Sequence, residues 1–126
     1  MLNEMKKENL IVGKSFAFAL RIIETYKYLC ANRKEYVLSK QLLRSGTSIG
    51  ANVNEAQAAQ SKNDFLSKMA IASKEARETK YWLNLLKESN YLTTEENDIN
   101  RLLSECEDVV NVLTKIIKTG SEQRKF

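Results

Sequence analysis

The chain has 126 residues, of which 43% are hydrophobic and 29% charged, with no proline, four glycines, no histidine and a formal net charge of +4. That length suits one domain spanning 1–126 and is short for two, and the scarcity of proline and glycine predicts long uninterrupted helices. The class expected from that profile is all-α, and the absence of histidine, which excludes histidine triads, zinc sites with histidine ligands and the Glu-x-x-His di-iron sites of helical bundles, sets the expectation of a non-enzymatic chain with no cofactor and no metal.

No apolar run approaches the roughly 18 to 20 residues that cross a bilayer, and MLNEMKKENL lacks the apolar block of a signal peptide, so no membrane partner is expected and the expected location is cytoplasmic. Cys30 and Cys106 sit far apart within apolar helical patterns and read as small core residues rather than a bridge. Residues 1–60 hold nine Lys/Arg against five Asp/Glu, whereas residues 61–126 hold eleven of each, which places the basic excess in the first half.

In chain order, the first dozen residues are polar and are expected to fray. A helix over about 10–31 carries one predicted core line, Val12, Phe16, Ala19, Ile23 and Tyr26, with Lys14, Arg21 and Tyr28 on the opposite, solvated side. Ile11, Phe18, Ile22 and Leu29 lie between these faces and make the apolar arc wider than one seam requires. Asn32, Arg33 and Lys34 form a short turn, which predicts an antiparallel neighbour.

The second helix, about 35–59, shows an apolar line of Leu38, Leu42, Ser45, Ile49, Val53 and Ala56 beside a polar line of Gln41, Arg44, Ser48, Asn52 and Glu55. An ordered polar seam next to a core seam implies a second packing partner: a helix, another subunit or RNA. Gly46 and Gly50 each cost a helix interior about 1 kcal/mol relative to alanine, which argues for a bend or for close approach of another helix, and the small residues around them favour close approach.

Ser61 with Asp64 predicts a cap, and the third helix, about 62–89, follows with the seam Phe65, Met69, Ala72, Ala76, Thr79, Leu83 and Leu86. A second line, Ile71, Glu75, Glu78, Trp82 and Leu85, frames two carboxylates with large apolar groups. Thr93 with Glu96 caps a fourth helix, about 94–118, which Gly120 is expected to stop, leaving the tail SEQRKF disordered. The predicted architecture is an antiparallel up-down-up-down four-helix bundle.

Two candidate sites emerge. Arg44, Ser48, Asn52 and Glu55 on the second helix, with Glu75, Glu78 and Trp82 on the third, fit a hydrogen-bonded lock fixing helix register or subunit pairing. Competing readings of the same residues are a carboxylate metal or catalytic site made of Glu55, Glu75 and Glu78, and a ligand or RNA contact through Arg44. Trp82, beside Tyr81, is the expected interface anchor. The other candidate is a basic surface of Lys14, Arg21, Lys27, Arg33, Lys34 and Lys40, with Tyr28 among them, suited to following phosphates without reading bases.

The pattern Gln41-Leu42-x-Arg44-x-x-x-Ser48-Ile49-x-x-Asn52-x-x-Glu55, followed by Phe65, Ala72, Ser73 and Glu75 in DFLSKMAIASKEARETKYWLNLL, resembles the bacterial four-helix-bundle proteins named for ribosomal RNA intervening sequences. More distantly the chain is similar to the accessory variability protein of diversity-generating retroelements. The resemblance spans about Leu10 to Gly120 and implies a non-catalytic homo-oligomer, a pentameric ring, associating with RNA or DNA through a basic surface. The alternative is a scaffold whose partners are itself and another protein. It also implies that Arg44, Ser48, Asn52, Glu55 and Glu75 are the family's recurring polar positions; this chain departs from many relatives at Leu43, Gly50 and Ala56.

Overall fold

The computed structural model describes residues 2–124, with side chains for residues 6–122. Five helices follow one another: α1 (Leu2–Arg33), α2 (Leu38–Ala56), α3 (Lys62–Glu88), the single turn α4 (Thr94–Asn97) and α5 (Ile99–Arg124). The described residues contain no strand, so the protein is all-α. The long helices pack cyclically, α1 on α2 and α5, α3 on α2 and α5. Their common core holds Phe18, Ile22, Leu42, Ile49, Met69, Leu83, Leu86 and Leu113, all but excluded from solvent. Among the described residues no helix is long and apolar enough to cross a membrane.

Three of the four connections contain a left-handed residue that is not glycine: Lys34, Asn90 and Asp98, with φ of 53°, 66° and 48°. After Lys34 the Glu35 amide reaches back to the Leu29 carbonyl at 3.0 Å, and after Asn90 the Leu92 amide reaches Leu86 at 3.1 Å, each closing the end of a helix. Ser61 and Thr93 cap α3 and α4 as their spacing predicts, accepting from the amides of Asp64 and Glu96 at 3.0 and 3.1 Å. The start of α2 is built differently. Its N-cap residue, Val37, offers no side-chain acceptor, and the carboxylate of Glu35 substitutes for one, taking the amides of Val37, Leu38 and Ser39 at 3.2, 3.1 and 2.7 Å.

Several expectations are corrected. Helix α1 begins at Leu2 rather than near residue 10, so the stretch expected to fray is helical. Its core line is Ile11, Phe18, Ile22 and Leu29, whereas Phe16 is 67% exposed. The apolar arc of α1 offers two lines, and small residues on α2 choose between them. A Cβ at Gly46 would lie 2.7 Å from Ile22 Cγ2, and one at Gly50 3.4 Å from the Ser15 carbonyl oxygen, so α2 is seated over Ile22 and Ser15 rather than over Phe16. The resulting roll of α1 also turns Arg21 and Tyr28 from the expected solvated side toward the last two helices, where Arg21 pairs with Glu105 at 3.2 Å and Tyr28 donates to Glu96.

Helix α2 runs Leu38–Ala56, shorter than the expected 35–59, because Glu35 caps it from outside and residues 57–61 form the connection. The expected last helix is divided at Asp98, whose left-handed backbone ends α4. Gly120 does not stop α5, which continues to Arg124; a Cβ there would meet Leu66 Cδ2 at 2.5 Å, so this glycine serves close approach rather than termination. Of the tail expected to be disordered, residues 121–124 are helical and 125–126 lie outside the described residues. Cys106 is buried as expected, while Cys30 is half-buried, its sulfur 3.8 Å from the Glu35 carbonyl oxygen.

Candidate polar seam and basic face

Arg44 lies between the buried Leu42 and Ser45 in the same turn of α2 and reaches across to α3. Its Nη1 donates to Glu75 Oε2 at 3.0 Å and its Nη2 to Glu78 Oε2. Trp82, one turn further along α3, donates its indole N–H to the same Glu78 oxygen at 3.0 Å. Beneath this layer the Thr79 hydroxyl is hydrogen-bonded to Ser45 at 2.9 Å and donates to the Glu75 carbonyl at 2.8 Å, in a region closed to solvent. The α2–α3 seam is thus polar at two depths, and one planar guanidinium serves two carboxylates that would otherwise repel each other at i, i+3.

The electrostatics follow from this geometry. The indole hydrogen bond from Trp82, reinforced by Arg44, holds the Glu78 carboxyl below its ordinary range, and the bond to Glu78 raises the already basic Arg44. A carboxylate whose pKa is depressed on folding contributes stability that is complete above its unfolded value and is lost as pH falls through the folded value. Trp82 reports this directly. Its fluorescence is expected to change on acidification with a midpoint below 4.5, the ordinary value, and the transition should vanish in Glu78→Gln; a midpoint at or above that value contradicts the assignment.

The remaining residues of the expected constellation are not drawn into this cluster. Ser48 donates to the Arg44 carbonyl at 2.6 Å and Asn52 to the Ser48 carbonyl at 2.8 Å, so both close bonds along their own helix. Glu55 faces Lys68 at 3.8 Å, away from Glu75 and Glu78. The three carboxylates of the alternative metal or catalytic reading therefore do not converge, and among the described residues no cluster of three His, Cys, Asp or Glu is placed to hold a metal ion.

The basic face divides in two. Arg21 is engaged by Glu105, and Arg33 donates to the carbonyls of Asn90 and Tyr91 at 2.9 and 3.3 Å while its guanidinium lies 5.1 Å from the centre of the Tyr91 ring. Both arginines brace helix ends and neighbours. Lys14, Lys27, Lys34 and Lys40 enter no ion pair among the described residues, and all but the half-buried Lys14 are exposed.

The sequence reading passed over the outer stripe of α1, although it drew Ile71 and Leu85 on a second line of α3 with Tyr81 beside Trp82. Large apolar side chains lie bare in two stripes, Leu10, Phe16 and Leu20 on α1 and Ile71, Tyr81 and Leu85 on α3, with Phe16 and Tyr81 67% and 58% exposed. Beside the first stripe a groove of about 560 Å³ runs between α1 and α2, lined by Gly13, Phe16, Ala19, Thr47, Gly50 and Ala51. The signal was present in the sequence: Lys6, Leu10, Gly13, Ala17, Leu20 and Glu24 alternate by fours and threes, the spacing of a contact seam.

Comparison with known proteins bears on this arrangement. No curated protein sequence matches the chain. A solved structure from Bacteroides thetaiotaomicron, described as a protein of unknown function from the S23 ribosomal protein family, is 48% identical, with a TM-score of 0.85 over 89% of this chain and 98% of that one. The model of the family described as 23S rRNA-intervening sequence protein matches residues 7–115. The chain belongs to the 23S rRNA-intervening sequence protein family.

Proposed function

We propose that the protein is a non-enzymatic, homo-oligomeric helical bundle that associates with RNA or DNA through a basic surface. Its long helices are read as an antiparallel up-down-up-down set, which the short connections 34–37, 57–61 and 89–93 favour. The observation that carries the oligomeric reading is the bare apolar surface of α1 and α3, placed on two different faces of one chain. Two unlike faces that bind each other close into a ring when the rotation between copies permits, and the ring of five implied by the family resemblance is one such closure.

The nucleic-acid part rests on Lys14, Lys27, Lys34 and Lys40, whose charges are not spent on carboxylates, and on the multiplication of a +4 chain by copy number. The structural use of Arg21 and Arg33 favours the second reading, a scaffold that binds itself and a protein partner without nucleic acid. Binding of an unrelated structured RNA across a salt titration separates them. The proposed function predicts affinity that falls steeply and linearly on a log–log plot, and a further drop when Lys27, Lys34 and Lys40 are replaced by glutamate. Absence of binding at low salt by an intact assembly leaves the scaffold.

A further inference from the structure

We propose that the connection between α1 and α2 docks single-stranded RNA or DNA: the open ring of Tyr36 stacks on an unpaired base, and Lys34 and Lys40 hold phosphates on either side of it. The proposal rests on the nucleic-acid reading above and names the form of the polymer and its point of contact.

Tyr36 and Val37 are 53% and 71% exposed. They are large apolar side chains left bare outside the two stripes of α1 and α3, and they stand at one end of the bundle, in the short connection 34–37. Tyr28, Tyr81 and Tyr91 each have a neighbour: Glu96 accepts from the first, Trp82 lies edge-on to the second at 5.2 Å, and the Arg33 guanidinium covers the third. The ring and hydroxyl of Tyr36 have none among the described residues.

The ring is nonetheless held in a fixed place. Before it, Glu35 donates its amide to the Leu29 carbonyl at 3.0 Å and accepts the Ser39 hydroxyl on its own carbonyl at 2.7 Å. After it, the amides of Val37 and Leu38 are held by the Glu35 carboxylate at 3.2 and 3.1 Å. With the backbone pinned on both sides, Tyr36 gives up only the rotation of its own side chain when a flat partner covers it, a low entropic cost that suits an aromatic anchor.

The charges beside the ring favour a polyanion. Lys34 precedes Tyr36 by two residues and Lys40 lies in the first turn of α2; both are exposed and enter no ion pair among the described residues. Glu35, the acid between them, is buried with its carboxylate turned onto amides. Lys34 also adopts a left-handed backbone, φ 53°, at the position after a helix where glycine or asparagine costs least, so this site accepts backbone strain and sets a cation near the ring. Glu95, Glu96 and Asp98 lie in and just after α4, and they steer a polyanion away from that side and along α2.

An open ring between two free cations fits a single strand better than a duplex or an acidic protein. A duplex keeps its bases stacked on one another and offers the ring only sugar and phosphate. An acidic peptide would engage the lysines and leave the ring face uncovered. Stacking and ammonium contacts read neither base edges nor the sugar, so RNA and DNA serve alike.

Fluorescence anisotropy on the full chain at low salt tests this with three labelled probes: oligoadenylate, a duplex of the same length and an abasic strand of the same length. Tyr36→Ala is expected to weaken oligoadenylate binding about tenfold, to leave the duplex and the abasic strand unchanged, and to keep the circular dichroism and mass of the unaltered chain. Tyr36→Trp should restore the loss, and Lys34→Glu with Lys40→Glu should weaken all three probes. A Tyr36→Ala chain that binds oligoadenylate as tightly as the unaltered one overturns the proposal, and if the lysine changes still weaken binding, the basic surface stands without this contact. Polyglutamate bound as tightly as oligoadenylate gives the site to an acidic protein, and a mass that falls in Tyr36→Ala gives it to a contact between copies; either result overturns the proposal. An unaltered chain that binds none of the three probes removes the nucleic-acid reading and the proposal together.

Discussion

Replacing Glu35 with alanine is expected to cost about 3 kcal/mol of folding stability and to lower Tm by about 10 °C for a chain of this size. The carboxylate takes three consecutive amides at the start of α2, at 3.2, 3.1 and 2.7 Å, and Ser39, whose amide is the closest, is excluded from solvent. Alanine leaves those donors without an acceptor, and water reaches the Ser39 amide poorly. A buried donor left unmade costs on the order of 1–3 kcal/mol, and loss of an N-cap alone about 1 kcal/mol, so the effect exceeds that of an ordinary cap. Glutamine keeps one acceptor oxygen and the side-chain volume and is expected to retain much of the stability. Urea unfolding followed by circular dichroism decides it; equal midpoints for the wild type and Glu35→Ala would show that α2 starts without this carboxylate.

The second large effect is at Gly46. Alanine there gains about 1 kcal/mol of helix propensity, yet its Cβ would sit 2.7 and 2.8 Å from Ile22 Cγ2 and Cγ1 and 3.2 Å from Ile22 Cβ. Ile22 is fully buried and stiff at χ1, with core on every side, so α1 and α2 must separate to admit the methyl group. The net cost is expected to be about 2 kcal/mol, in the range of core overpacking. Because the clash is with one side chain, it should be relieved by trimming that side chain. Ile22→Ala alone leaves a cavity, and the double variant is expected to be more stable than the sum of the single losses by more than about 1 kcal/mol. Strict additivity would place the strain elsewhere.

Both effects bear on what was legible in the chain. The seam of α3 from Met69 to Leu86 and the caps at Ser61 and Thr93 could be read because each depends on residues a few positions apart. The close approach at Gly46 was legible as a cost in search of a reason. The choice between the two apolar lines of α1 was not, since it is made by contact with α2, and with it went the positions of Arg21 and Tyr28. Glu35 was missed because its acceptor role replaces a local cap that Val37 cannot supply, and nothing in periodicity marks such a substitution. For the polar seam, the sequence put Arg44 on one line of α2 and Glu75, Glu78 and Trp82 on one line of α3; that the two lines meet is set by packing, and that Ser48 and Asn52 turn back onto their own helix depends on side-chain rotation, which spacing does not determine.

The same physical picture joins fold and proposed function. Arg44 bonds to two carboxylates of its own chain and so ties α2 to α3, on the helix that also carries Ile71, Trp82 and Leu85. The exposed lysines add charge to whatever that surface builds.

The mass of the purified chain in solution, by light scattering at physiological salt, tests this most directly. Assembly through two unlike faces predicts a closed multiple of 14.4 kDa, five chains of which give about 72 kDa. A particle of 14.4 kDa at micromolar concentration, with the stripes of α1 and α3 open to water, would contradict it.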